Sequence, residues 1–195
     1  MPQLVALAND PTPLTMQVTA DGQPFTVRPL HRSDAAPLQT FLSTLSEPSR
    51  RYWHGDTDPS EAARDWIDSI ARYDKLRLVA HAPTTPTVLA GVIDLSFSLP
   101  DGWEITRYAA AGILLDPART VRWGPCVADA WQSRGLAAAL LPPSWSAAKL
   151  LNRDCVVLFG GVDATNHRAR RFYTKHGFTE ATNDGTLIDM ILYLS

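Results

Sequence analysis

Cysteine is scarce: only Cys126 and Cys155 occur in 195 residues. Two thiols cannot supply a disulfide framework, so stability has to come from an ordinary apolar core. The pair falls on separate predicted strands. A bond between them stays open, and a pair of buried intracellular thiols is the preferred reading. No cluster of Cys and His has metal-ligand spacing, so no metal is expected. A basic excess is also missing. Lys and Arg number 18 against 20 Asp and Glu, for a net charge of −2. That balance gives no bulk positive field for nucleic acid. No apolar run reaches bilayer-spanning length, so no membrane partner is expected. Met1–Ala8 lacks a basic leader region and is too short for a signal peptide, which points to the cytoplasm. Repeats and low-complexity runs are absent.

What remains is an ordinary globular composition, 45% hydrophobic and 19% charged, in a length suited to one domain. Three prolines and Asn9-Asp10-Pro11 suggest a loosely held arm over 1–13, ahead of a single domain over 14–195. Asp21-Gly22 between Leu14–Thr19 and Phe25–Leu30 signals a hairpin. A helix capped by Ser33 or Asp34 carries the stripe Leu38, Phe41, Leu42, Leu45, and Ser46-Glu47-Pro48-Ser49 stops it. A second helix starts at Ser60 with Ala63, Trp66, Ile67 and Ile70 on one face. Leu76–His81 and Val88–Phe97 read as strands joined by a Pro83–Pro86 turn. Residues 99–120 open on the turn Pro100-Asp101-Gly102 and then read as strand or short helix.

Val121–Ala128 is the central strand. It leads through a polar turn with one glycine into an Ala/Leu helix, Cys126-Val127-Ala128-Asp129-Ala130-Trp131-Gln132-Ser133-Arg134-Gly135-Leu136-Ala137-Ala138-Ala139-Leu140. Strand, turn and helix in that order make an anion site, because the first N–H groups of the helix have no internal partner. Pro142-Pro143 must kink or restart that helix. Val156–Val162 follows as a second buried strand, and Asp184-Gly185 announces a last hairpin before Thr186–Leu194.

Gln132-x-x-Gly135-x-Ala137 resembles the pyrophosphate motif of the GCN5-related N-acetyltransferases. About thirty residues on, Asn166, Ala169, Phe172-Tyr173 and Gly177-Phe178 are similar to that family's second signature in order and spacing. The resemblance implies an α/β fold with a mixed, mostly antiparallel central sheet, flanking helices and splayed central parallel strands. A Rossmann arrangement fails, since the first half shows hairpins where βαβ units would be required.

The resemblance also implies acetyl-CoA as acyl donor and a primary amine, on a small molecule or a protein, as acceptor. Its pyrophosphate would lie on Gln132, Ser133, Arg134, Gly135, Leu136, Ala137 and Ala138. Its pantetheine arm would run along Val127 and Ala128. Asn166, Ala169, Phe172 and Tyr173 complete the cofactor-binding set. Val127 N–H would polarise the thioester carbonyl, and Tyr173 would protonate the departing thiolate. Glu104, Asp94 and Asp129 are the candidates for a general base. Cys126 reads as core in preference to nucleophile, having no His-plus-acid partner to form a thiolate. Arg50, Arg51, Tyr52, Trp53 and His54 are candidates for the acceptor wall or for a solvated loop. Ser46–Arg51 and Val127–Gln132 are faintly similar to bacterial protein-lysine acetyltransferase domains. Two other readings stay open. One is a non-catalytic acyl-CoA sensor on the same fold, and the other is an interaction protein that forms a homodimer through a sheet edge.

Overall fold

Residues 2–14 are more ordered than their prolines suggest. In the computed structural model, which describes residues 2–53, 58–72, 74–85, 87–99 and 102–195, helix α1 spans Pro2–Asn9. Leu4 and Leu7, spaced i and i+3, are buried, and so is Leu14 after it. The expected loose arm is therefore a helix with an apolar face.

Strands β1 (Met16–Ala20) and β2 (Gln23–Pro29) form the predicted hairpin around Asp21-Gly22, with Met16 opposite Val27. Helix α2 (Ala35–Thr44) follows a 3₁₀ turn at Arg32–Asp34. His31 caps that turn, accepting from Ser33 N–H, and Asp34 answers by accepting from His31 N–H at 2.8 Å. Asp34 also takes a bidentate pair from Arg28, each bond 2.7 Å. Burial pushes the Asp34 carboxyl up, but Arg28 and the His31 N–H outweigh it and hold it below the usual range.

Ser46–Ser49 does stop α2, yet Glu47–Trp53 then forms helix α3. Pro48 is compatible with this because a first-turn proline surrenders an N–H that has no helical partner anyway. Helix α4 runs over Pro59–Asp68 and is capped by Asp58, whose carboxylate accepts from Ser60 and Glu61 N–H. The expected cap, Ser60, sits inside the helix. Strands β3 (Lys75–His81) and β4 (Leu89–Ser96) follow as predicted. The ambiguous insert contains helix α5 (Trp103–Ala110). Next come strand β5 (Thr120–Val127), a 3₁₀ turn at Asp129–Trp131, and helices α6 (Leu136–Ala139) and α7 (Leu141–Leu150). The break falls at Leu140, so Pro142 and Pro143 open the new helix where their missing donors cost nothing. Strands β6 (Cys155–Leu158) and β7 (Val162–Asp163) precede helix α8 (His167–Lys175). Strands β8 (Thr179–Asn183) and β9 (Leu187–Tyr193) form the closing hairpin. His54, Pro86, Pro100 and Asp101, read from sequence as acceptor-wall and turn residues, lie outside the described residues.

The chain divides into two compact units. The first comprises Met1–Leu95 and Pro125–Ala147. Its strands follow the order β1-β2-β3-β4. The α2 stripe of Leu38, Phe41, Leu42 and Leu45 packs with Ala63 and Ile67 of α4 against Val79, Val92 and Cys126. Burying such side chains contributes about 1.5–3 kcal/mol each. Gly91 lets this layer close. A Cβ there would lie 3.2 Å from Cys126 O and 3.2 Å from Leu140 Cδ1. Gly91→Val is expected to destabilise the protein by about 1–3 kcal/mol, read as a lowered thermal midpoint. An unchanged midpoint would mean β4 moves aside freely.

The second unit comprises Ser96–Gly124 and Ala148–Ser195. Strand order there is β5-β6-β9-β7, with β8 also paired to β9. The β5–β6 pair is parallel, from Thr120↔Cys155 to Trp123↔Leu158, where its register ends. The β6, β7 and β8 pairings to β9 are antiparallel. Tyr108, Cys155, Val157 and Ile191 form one core, with Tyr108 Oη donating to Met190 O at 3.1 Å. Asp189, fully buried, is neutralised by Arg107 and accepts from Thr182 Oγ1. The sheet is mixed and mostly antiparallel, as expected from the sequence. Among the described residues no helix is long and apolar enough to cross a membrane, and no group of three or more His, Cys, Asp or Glu could hold a metal ion.

Candidate active site

The end of β5 fixes the direction of its backbone groups. Cys126 O lies beside Gly91 of β4, and the Ala128 N–H donates to Ala90 O at 2.9 Å. No peptide here is cis. The N–H of a trans peptide points opposite to its C=O, so Val127 N–H faces away from β4. Val127 O also faces away, and it accepts from Gln132 Nε2 at 3.0 Å.

The turn after β5 is built on two left-handed residues, Ser133 at φ 59° and Gly135 at φ 82°. Gly135 is the N-cap of α6. A Cβ on it would meet nothing within 4 Å. Among the described residues, the N–H groups of Ser133, Arg134, Gly135, Leu136, Ala137 and Ala138 find no carbonyl partner; the next bonds begin at Ala139 N–H to Gly135 O and Leu140 N–H to Leu136 O. Since α6 has four residues, its macrodipole is short, and the turn's capacity for anions rests on these open donors. Leu136 is buried and anchors the turn from below. Trp131 anchors it from the side, edge-on to the buried Phe25 ring with centroids 5.0 Å apart.

Arg134, expected beside the pyrophosphate, is paired within the protein. Its Nε donates to Asp21 at 2.7 Å, and its guanidinium lies 4.8 Å from the Trp131 ring centroid. Both members of the ion pair are 47% exposed, so the pair is weak enough to exchange for an incoming phosphate. Gln132 turns its amide inward. Besides Val127 O it donates to Ser49 Oγ at 3.0 Å and to Asp129 Oδ1 at 3.1 Å. Asp129 further accepts from Ser46 N–H at 2.7 Å, Ser46 Oγ at 3.0 Å and Ser49 Oγ at 2.6 Å.

Val127, Ala128, Asp129 and the whole Gln132–Ala138 segment thus belong to the first unit. Glu104, Asn166, Ala169, Phe172 and Tyr173 belong to the second. Asn166 caps α8 as expected, its Oδ1 accepting from Ala169 N–H at 3.1 Å. Ala169, Phe172, Tyr173 and His176 make up the half-buried face of α8, while His167, Arg168, Arg171 and Lys175 are exposed. The Tyr173 ring packs at 6.0 Å from Trp123, 5.4 Å from Phe172 and 5.4 Å from Phe178.

The three candidate carboxylates are all engaged. Glu104 pairs with Arg122 at 3.1 Å and accepts from Gly160 N–H at 3.1 Å. Asp94 pairs with Arg77 at 3.2 Å and Lys75 at 3.4 Å. Asp129 holds the four donors given above. Cys126 and Cys155 are free and buried. Burial, with a smaller contribution from Asp129, pushes the Cys126 thiol well above the ordinary range. Thiol reagents should therefore label native protein more than about a hundredfold slower than unfolded protein. Rapid stoichiometric labelling of native Cys126 would reopen a nucleophilic role.

Local sequence signals did not reach Asp21, Ser46, Ser49 or Trp131. Asp21 looked like a turn residue only, and Ser46 and Ser49 like a helix stop.

Comparison with known proteins agrees with this fold. No curated protein matches the sequence. The GNAT domain of S. lividans PAT superposes with a TM-score of 0.73 at 21% identity, over 95% of this chain and 99% of that one. Aminoglycoside acetyltransferase AAC(6')-Ib, solved with coenzyme A, gives 0.64 at 20% identity over 87% and 94%. A spermidine N-acetyltransferase chimera from Vibrio cholerae and hSSAT gives 0.60 at 18% over 87% and 95%. The profile of the acetyltransferase (GNAT) family matches residues 41–178. That match spans most of the chain and contains both the open turn at Gly135 and the Asn166-capped helix. The protein therefore belongs to the acetyltransferase (GNAT) family.

Proposed function

We propose that the protein transfers the acetyl group of acetyl-CoA to a primary amine by direct attack within a ternary complex. The observation that carries this reading is the Ser133–Ala138 turn, with six N–H groups lacking a carbonyl partner and open space at the missing Gly135 Cβ. Solved neighbours of the same fold carry coenzyme A or acetyl-CoA, in line with a diphosphate on that turn. Gln132 through Ala138, with Val127, Ala128, Asn166, Ala169, Phe172 and Tyr173, would hold the donor. Bound acetyl-CoA supplies an activated thioester. Residues 14–195 act as one acetyltransferase domain in this reading, with 1–13 as its arm.

Val127 N–H donates to the carbonyl oxygen as that oxygen gains charge. Tyr173 Oη gives its proton to the departing sulfur. The acceptor ammonium, with a reference pKa of about 10, must first lose a proton. Glu104, Asp94 and Asp129 are all engaged by donors or cations, so this proton leaves through water next to a carboxylate.

The same engagement favours a second reading, a non-catalytic acyl-CoA sensor that lacks a free base. An acceptor screen separates the two. Small primary amines, amino acids and lysine peptides are mixed with acetyl-CoA, and free CoA thiol is measured. Amine-dependent thiol release supports the transferase. Saturable acetyl-CoA binding without release from any amine supports the sensor.

A further inference from the structure

Asp129 is held by four hydrogen bonds beside the open turn, three from the distant Ser46–Ser49 segment and one from the neighbouring Gln132. Ser46 N–H reaches Oδ2, while Ser46 Oγ, Ser49 Oγ and Gln132 Nε2 converge on Oδ1. Ser46 lies 83 residues before Asp129 in sequence. Ser46 and Ser49 form the entry of α3, where Arg50 N–H donates to Ser46 O at 2.9 Å. A helix start needs acceptors for its first donors. Here the acceptor arrives from the β5 end of the chain. Gln132 closes the network, since the same Nε2 contacts Ser49 Oγ, Asp129 Oδ1 and Val127 O. The Val127–Ala128 peptide is consequently held on both sides, by Gln132 at its C=O and by Ala90 O at its N–H.

We propose that Asp129 is a positioning residue that ties the entry of α3 to the donor-binding turn, so that loading the turn with acetyl-CoA sets the Ser46–Arg50 segment. The coupling rests on the acetyl-CoA reading above; the tie itself rests only on the hydrogen bonds. The open donors begin at Ser133, immediately after Gln132. A ligand that orders them orders the Gln132 backbone, and the Gln132 amide passes that constraint to Asp129 and Ser49. Arg50, on the first turn of α3, follows the entry to which its N–H is bonded. Every donor on the carboxylate needs an acceptor, and a carboxylate offers two oxygens with no donor of its own. An amide in its place offers one oxygen and turns an NH₂ toward other donors.

Hydrogen exchange of the Ser46–Arg50 amides, with and without acetyl-CoA, tests this in Asp129→Asn and wild type. The wild type is expected to gain protection there when acetyl-CoA binds. Asp129→Asn is expected to exchange about tenfold faster without ligand. It should also lose the ligand-induced protection, even at acetyl-CoA concentrations that saturate it. Asp129→Glu, which keeps both oxygens, should recover part of both effects. Ser49→Ala attacks the network from its other side and should move the same amides in the same direction, which keeps the test open should Asp129→Asn fail to fold. Equal exchange in wild type and both Asp129→Asn and Ser49→Ala overturns the tie. Acetyl-CoA binding that leaves the Ser46–Arg50 amides of the wild type unchanged overturns the coupling alone. No acetyl-CoA binding by the wild type overturns the functional reading, and the coupling with it.

Discussion

Gly135→Val is expected to lose acetyl-CoA affinity by about 10- to 20,000-fold while the protein stays folded. The size follows from losing one or two charge-assisted hydrogen bonds, each worth about 1.5–3 kcal/mol. The selectivity follows from the local geometry. Nothing lies within 4 Å of the position a Cβ would take, so the ligand-free fold has room for the side chain. The strain is in the backbone: Gly135 sits at φ 82°, where a β-branched residue costs about 1–3 kcal/mol. For a chain of this size each kcal/mol lowers the thermal midpoint by roughly 2–4 °C. Affinity should therefore fall at least about tenfold while the thermal midpoint drops by about 2–12 °C and the fold is kept. Gly135→Ala provides the graded comparison, with a smaller loss of affinity and less strain. Calorimetric titration with acetyl-CoA, paired with a melt, measures both. Undiminished affinity in a folded Gly135→Val protein would remove the anion site from the account.

Tyr173→Phe is expected to lower the turnover number by about 10²–10⁴-fold and to leave acetyl-CoA affinity nearly unchanged. The substitution removes one hydroxyl and keeps the ring that packs against Trp123, Phe172 and Phe178, so stability should change by less than about 1.5 kcal/mol. The defect should shrink as pH rises. A reference thiol has a pKa of about 8.5, so at alkaline pH the sulfur leaves as thiolate with little need of a proton. Wild type and Tyr173→Phe should converge on the alkaline side. Equal turnover at neutral pH, with chemistry rate-limiting, would make Tyr173 a core aromatic only.

Which parts of this molecule could be read from sequence follows from how local their causes are. Asp21-Gly22 forms its hairpin because a two-residue connection demands residues of that kind, and nothing distant is involved. The α2 stripe was legible because 3.6-residue periodicity is local. Pro142-Pro143 broke the helix through its own missing donors. Pro48 misled for a related reason. It marks a helix end in one position and a helix start in another, and only the chain on both sides decides which. The prolines around α1 hid Leu4 and Leu7, whose apolar face becomes visible only once a surface exists to cover it.

The candidate site divides in the same way. Gly135 and Asn166 were legible because a turn and a cap act on their immediate neighbours. Arg134 was identified as a cation beside the turn, but its Asp21 partner lies 113 residues away in sequence. The Asp129 network was equally hidden, since Ser46 and Ser49 show no sign of what will accept from them. Glu104 was named for its chemistry. Its attachment to Arg122 and Gly160 joins residues 18 and 56 positions away in sequence, which the pattern over 99–120 did not reveal.

The most direct test of the account is a single-turnover transfer experiment. Acetyl-CoA labelled in its acetyl group is mixed with excess enzyme and an amine that supports thiol release, and the label is followed by mass spectrometry on both acceptor and protein. Direct attack predicts label on the amine, appearing at the rate of CoA release, with the protein unlabelled at every time point. Label that passes through the protein, or that ends as free acetate with the amine unmodified, would contradict it.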